Sequence, residues 1–137
     1  MPEVQGLGEA ALHVEDPGRS ARFYQDIFGF RKIKGDDRFV ALRITSAQVL
    51  LLFRKGGTLE PVRVPGGVIP PHDGEGRLHL AFTISAADWN PWQEHLRARG
   101  VAIESVVNWG PGLRSLYFRD PDEHLVELAT PGLWNAE

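Results

Sequence analysis

Two ionisable side chains stand inside runs that otherwise read as buried strands: His79 in LHLAF (78–82) and Glu127 in EHLVELAT (123–130). A carboxylate or imidazole in such a place is costly without a partner. Two partners suffice. The pair can hydrogen-bond to each other and tie two strands, or both can ligate a shared cation. Glu9, in EAALHVE (9–15), is a third group of the same kind, although a solvated side chain at a strand's start explains it equally. One imidazole with two carboxylates neutralises a divalent charge and suits Zn, Mn, Ni, Co or Fe. Water would fill the remaining positions, where a substrate oxygen binds and is polarised. His13 lies four residues after Glu9 on the same strand face. It reads either as a wall histidine or as a group for proton transfer and substrate binding.

The elements that must position these groups follow from periodicity. EAALHVE alternates as a strand. DPGRSARFYQDIFGF (16–30) reads as a helix capped by Asp16, with Pro17 in its first turn, Gly29 as its stop, and Phe23, Ile27, Ser20 and Tyr24 on its buried stripe. RFVALRI (38–44) and QVLLLF (48–53) are strands, and RKIKG (31–35) supplies another before them. Residues 54–77 are rich in Gly and Pro without sustained periodicity, the mark of a linker or a functional loop. The order then repeats: RLHLAFTIS is a strand, and ADWNPWQEHLRARG is a helix capped by Ser85 or Asp88 with Trp92 and Leu96 on one face. VAIESVV, RSLYFR and HLVELA follow as strands, the last two joined by the turn DPDE.

Superposing the halves lays EAALHV over HLAFTI and QVLLLF over HLVELA. Glu9 then matches His79, and Leu51 matches Glu127. In a pseudo-twofold arrangement such positions point to one centre, so three of four carry metal-ligating groups and the fourth is leucine.

DPGRSARFYQDIFGF also resembles the D-x-x-x-S-x-x-FY-x-x-x-x-G-F signature that opens the vicinal oxygen chelate superfamily, and LHLAFTI, LRARGV and SLYFRDPDEHLVEL resemble its second half. That superfamily takes in glyoxalase I, bleomycin-resistance proteins, extradiol dioxygenases and the fosfomycin-resistance thiol transferases. The resemblance runs over residues 7–131. It implies an α+β fold of two tandem βαβββ modules, about 7–55 and 77–131 around a linker at 56–76, forming a cup-shaped curled sheet in a homodimer. It also implies one divalent metal ion, with ligands falling on His79, Glu127 and, seven residues before Asp16, Glu9. The family's usual first ligand is His, so Glu9 speaks against a two-His, one-Glu ring-cleaving dioxygenase. Leu51 fills the slot of glyoxalase I's fourth ligand and disfavours that reaction. Ala11 stands where the fosfomycin enzymes place Thr, and the loop before SLYF is shorter, which disfavours theirs.

The function implied is a metal-dependent enzyme acting on a small oxygen-rich substrate, through Lewis-acid stabilisation of an enolate or oxyanion. Glu9, Glu127 and His13 are its candidate catalytic groups. Ser115 and Tyr117 alternate with Leu116 and Phe118 and point inward as candidate substrate contacts; wall packing explains Tyr117 equally. Arg114 and Trp109, in NWGPGLR, are candidates to close over an anionic or aromatic ligand. A bleomycin-resistance-like binding protein without catalysis is the rival reading. His72, in IPPHDG, is a candidate lid residue or plain loop; His95 and His124 read as solvated, Trp92 as core, and Trp134 as a pin for the tail.

Composition narrows the partners. Fifteen Lys and Arg against eighteen Asp and Glu give a net charge of −3 with no long basic run, which disfavours nucleic acid and anionic membranes. No window has the apolar length to cross a bilayer, and no basic, apolar leader opens the sequence. Cysteine is absent, so thiolate ligands and disulfides are excluded and a cytoplasmic location is expected.

Overall fold

The first helix is fixed at both ends by its own sequence. In this computed structural model, which describes residues 1–135, Asp16 accepts hydrogen bonds from the N–H groups of Gly18 and Arg19 and opens α1 (Pro17–Phe28). Pro17 fits because first-turn N–H groups have no helical acceptor. Gly29 closes the helix in the left-handed conformation (φ 70°), donating its N–H to the Gln25 carbonyl. The buried stripe is Pro17, Ser20, Ala21, Tyr24 and Ile27. Phe23, expected there, is half-buried and meets Tyr24 edge-on at 5.3 Å. Tyr24 takes the centre because Pro17, Ser20 and Ala21 lie seven, four and three residues before it and Ile27 three after, all on its own face.

Around α1 the first compact unit (Met1–Glu75) forms a four-stranded sheet from β1 (Glu9–Val14), β2 (Arg31–Gly35), β3 (Phe39–Thr45) and β4 (Gln48–Arg54). Its order is β1-β4-β3-β2, with β1 parallel to β4 and the remaining pairs antiparallel. Strand alternation sends Leu12, Val14, Val40, Leu42, Leu50 and Leu52 to one face, where all are buried. Helix α1 contacts β3 and β4. Each such aliphatic side chain contributes about 1.5–3 kcal/mol by leaving water. The other face carries Glu9, Ala11 and His13, with Leu51, Phe53, Phe39 and Ala41 on the neighbouring strands.

Residues 54–77 lack periodicity in the sequence, yet β5 (Val62–Val64) and β6 (Gly67–Ile69) pair there as an antiparallel hairpin. Strands of three residues are too short for alternation to register, and Pro65 and Gly66 supply the turn.

The second unit (Gly76–Glu137) repeats the plan: β7 (His79–Thr83), a 3-10 turn (Ala86–Asp88), α2 (Trp89–Ala98), β8 (Ser105–Gly110), β9 (Leu113–Arg119) and β10 (Leu125–Ala129). The order is β7-β10-β9-β8, with β7 parallel to β10. Ser85, not Asp88, provides the cap, accepting from the Ala87 N–H. The fold is thus α+β, two βαβββ modules in tandem, as the resemblance implies. The repeat holds to the residue: Ala11 pairs with Leu51, and Ala81 with Glu127. Glu9 and His79 therefore occupy equivalent places, one same-face position before those pairs.

Three expectations are corrected. Trp89 rather than Trp92 is the buried tryptophan of α2, because Trp89 lies seven residues before buried Leu96 on nearly the same line, whereas Trp92 falls to the side of that line. His124 is fully buried rather than solvated, since its Nδ1 accepts the Leu78 N–H at 2.9 Å and ties the final turn to the start of β7. Trp134 is 90% exposed and pins nothing. Among the described residues, no helix is long and apolar enough to cross a membrane.

Candidate metal centre

His79 and Glu127 meet inside the second unit. The parallel pairing of β7 with β10 sets Leu125 beside His79 and Glu127 beside Ala81. His79 Nε2 lies 3.2 Å from Glu127 Oε1, while His79 Nδ1 lies 2.9 Å from the Leu125 carbonyl. A carbonyl only accepts, so Nδ1 carries the proton and donates it. Nε2 then faces a carboxylate oxygen, and either a second proton or a cation must lie between the two acceptors. A histidine held by Nδ1–H to a backbone carbonyl is how proteins orient a metal-ligating imidazole.

The other carboxylate oxygen is already committed. Ser115, fully buried on β9, donates its hydroxyl to Glu127 Oε2 at 2.5 Å and accepts from Trp109 Nε1 at 3.0 Å. A continuous chain results, from Trp109 through Ser115 and Glu127 to His79 and the Leu125 carbonyl. It directs Oε1 at His79 Nε2, the place where a shared cation would sit. Tyr117 is paired with Glu127 across the β9–β10 ladder, and its ring lies 6.3 Å from that of His79. Desolvation first, and then the Glu127 charge, hold its phenol above the ordinary value of 10.0, so it remains a protonated donor.

The donor set fits a divalent ion in kind: one imidazole nitrogen and one carboxylate oxygen, both oriented by backbone or hydroxyl partners. Among the described residues no group of three or more His, Cys, Asp or Glu forms a metal-holding cluster. The same sheet face bears a cavity of about 430 Å³, lined by Ala81, Glu127, Ala129 and, from the tail, Trp134. No periodic signal in the sequence points to Trp134, which lies beyond the last strand.

The remaining sequence-predicted residues fall elsewhere. Arg114 neighbours Ser115 on β9 and so points to the opposite sheet face, where its guanidinium carbon sits 4.6 Å from the centre of the Trp89 ring. Glu9 is exposed on β1 at the rim of a cavity of about 460 Å³ in the first unit. His13 is buried below the loop that closes this cavity. Thr58 spends its hydroxyl proton on the His72 carbonyl at 2.6 Å, so His13 Nε2–H donates to Thr58 Oγ1 at 3.3 Å. The His13 ring stacks on Phe53 at 5.8 Å and meets the edge of His72 at 5.3 Å. His72 is therefore built into the cavity wall, and its contact with His13 was not legible in a segment without periodicity.

Comparison with known proteins places these features. Residues 6–128 match the family model of the Glyoxalase/Bleomycin resistance protein/Dioxygenase superfamily. The chain is 25% identical over 128 residues to metallothiol transferase FosB of Staphylococcus saprophyticus, covering 93% of this chain and 78% of that protein. It is 27% identical over 131 residues to fosfomycin resistance protein FosX of Listeria innocua, covering 91% and 89%. The crystal structure of lactoylglutathione lyase from Agrobacterium tumefaciens superposes with a TM-score of 0.87 at 27% identity, over 98% of this chain and all of that one (100%). With the matched span running from before β1 into β10, and so through both repeated modules, the chain belongs to the glyoxalase/bleomycin resistance protein/dioxygenase superfamily.

Proposed function

We infer that the protein is a metal-dependent enzyme of this superfamily acting on a small oxygen-rich substrate. The observation that carries the reading is the orientation of His79, whose Nδ1–H is donated to the Leu125 carbonyl so that Nε2 faces Glu127 Oε1 at 3.2 Å. His79 and Glu127 would hold the ion, with Glu9 as third ligand from a β1 strand of the same chain or of a second protomer in a homodimer. Similarity to a metallothiol transferase supports metal dependence, whereas Ala11 and Leu51 argue against transferring the substrate of that enzyme or of the lyase.

When bound, a divalent ion supplies Lewis-acid stabilisation of negative charge developing on a substrate oxygen. The chain's own residues do the rest. Ser115 occupies Oε2 of Glu127 and so holds Oε1 toward His79, where the two would share the ion. The Tyr117 phenol stays protonated and can donate to an adjacent oxyanion. His13, with its Nε2–H given to Thr58, positions the cavity wall rather than touching the reacting atoms.

Metal analysis of protein purified without chelator tests this, with cobalt(II) absorption spectra as a readout independent of turnover. About one ion per chain is expected, lost in His79→Ala and Glu127→Leu. Less than about half an ion with no rebinding would overturn the reading. Mixing Glu9→Gln with Glu127→Gln subunits separates the two origins of Glu9, since only an intersubunit site regains the spectrum. The apolar floor at Leu51 favours the rival binding-protein reading, which requires that ligand binding survive removal of metal.

A further inference from the structure

We propose that the cavity of the first unit selects a planar ring bearing an anionic group, with Lys34 and Arg38 reading the charge. The inference deepens the reading above by naming the substrate class, and it rests on that reading only for the ligand's reacting end.

The cavity has about 460 Å³, inside the range of roughly 300–1,000 Å³ typical of small-molecule sites. Its floor follows from the pairing register. Ala11, Leu51, Ala41 and Lys34 lie in one row across β1, β4, β3 and β2. Alanine on either side of Leu51 leaves a flat strip with room above it. One end is walled by aromatic rings: Phe39 stacks on Phe53 at 5.8 Å, and His72 meets Phe53 edge-on at 4.8 Å. Val62 and Ile69, from the β5–β6 hairpin, complete an apolar lining. Flat floor, ring-edged wall and apolar lining suit a planar ring, which gains from offset and edge contacts.

The charges are sorted along this strip. Lys34 Nζ lies 6.0 Å from the Phe39 ring centre, and Arg38 Cζ lies 5.4 Å from Phe39 and 5.8 Å from Phe53. Both cations thus gather at the aromatic end. Among the described residues, Lys34 has no carboxylate within salt-bridge reach. Arg38 gives one N–H to the Gly57 carbonyl at 3.4 Å. Two carboxylates also line the cavity, Glu9 and Glu60. Glu60 is exposed, and Glu9 lies at the far side of the sheet, three strand spacings or about 14 Å from the Lys34 backbone. An anion at the aromatic end therefore meets two cations remote from Glu9, with the nearby Asp36 carboxylate already accepting from the N–H groups of Arg38 and Phe39.

The test is fluorine NMR on EDTA-treated protein with three probes of one shape: 4-fluorobenzoate, 4-fluorobenzyl alcohol and 4-fluorobenzylamine. Metal-free protein keeps the outcome separate from the ion-binding test, so either can fail alone. Benzoate is expected to bind about fivefold tighter than the alcohol, with the amine weakest, as for one partly exposed ion pair. Lys34→Gln, an exposed position, should reduce that advantage, and the double variant with Arg38→Gln should remove it. Leu51→Trp, checked for folding by circular dichroism, should abolish binding of all three. Tighter binding of the amine, an unchanged benzoate affinity in Lys34→Gln, retained binding in folded Leu51→Trp, or no binding of any probe at roughly 10 mM would each overturn the proposal.

Discussion

Replacing Ser115 by alanine removes one hydroxyl from a fully buried position and interrupts the chain that holds Glu127. The hydroxyl makes two bonds, donating to Glu127 Oε2 at 2.5 Å and accepting from Trp109 Nε1 at 3.0 Å. The two losses differ in size. Trp109 is 51% exposed, so water can take over its indole N–H. Glu127 is buried, and losing a hydrogen bond to a charged acceptor costs about 1.5–3 kcal/mol. The carboxylate bond therefore dominates, and a loss of about 2 kcal/mol is expected. For a chain of 137 residues that lowers Tm by roughly 6–10 °C. If Glu127 also holds a metal, a partner lost from behind a ligand weakens affinity by about 10–100-fold. Scanning calorimetry of apo protein gives the first number, and cobalt(II) titration the second. A destabilisation under about 0.5 kcal/mol with unchanged metal affinity would refute the assignment of Ser115 as the group that orients Glu127.

Three further outcomes are expected. Gly74→Ala would set a methyl carbon 2.5 Å from His13 Nδ1, against a buried and stacked ring; overpacking of about 1–3 kcal/mol should appear as a lower urea midpoint. Arg114→Ala loses the guanidinium stacked on Trp89, about 0.5–1 kcal/mol, and leaves metal binding unchanged because it lies on the other sheet face. Asp16 is held below the ordinary value of 3.8, chiefly by the Arg19 N–H, with the Gly18 N–H and the charges of Arg22 and Arg54 adding to it. A lowered carboxylate stabilises the fold fully above its unfolded value and loses that contribution as pH falls through the folded value. The difference in urea midpoint between wild type and Asp16→Asn should thus be constant above about pH 5 and narrow on acidification; a difference that widens would be the wrong sign.

What the sequence determined by itself was local and periodic. The cap at Asp16, the stop at Gly29 and the alternation of β1, β3, β4, β9 and β10 follow from backbone chemistry and period, which need no distant partner. The internal repeat extended this to register: matching Glu9 to His79 and Leu51 to Glu127 is reproduced by the strand pairing, because two modules with the same element order and strand order place equivalent residues equivalently. Long-range packing decided the rest. Nothing within HLVELA states that Ser115 would occupy one oxygen of Glu127, or that Leu125 would lend its carbonyl to His79; both bonds depend on strands brought side by side. His124 looked solvated because turn residues usually are, and only the approach of Leu78 gave its ring a donor to accept from. The hairpin at 62–69 was hidden because three-residue strands carry no readable period, and the contacts of His72 with Phe53 and His13 because its segment has none. Period and capping act between neighbours along the chain, whereas partners for buried polar groups are supplied by whatever the fold brings opposite them.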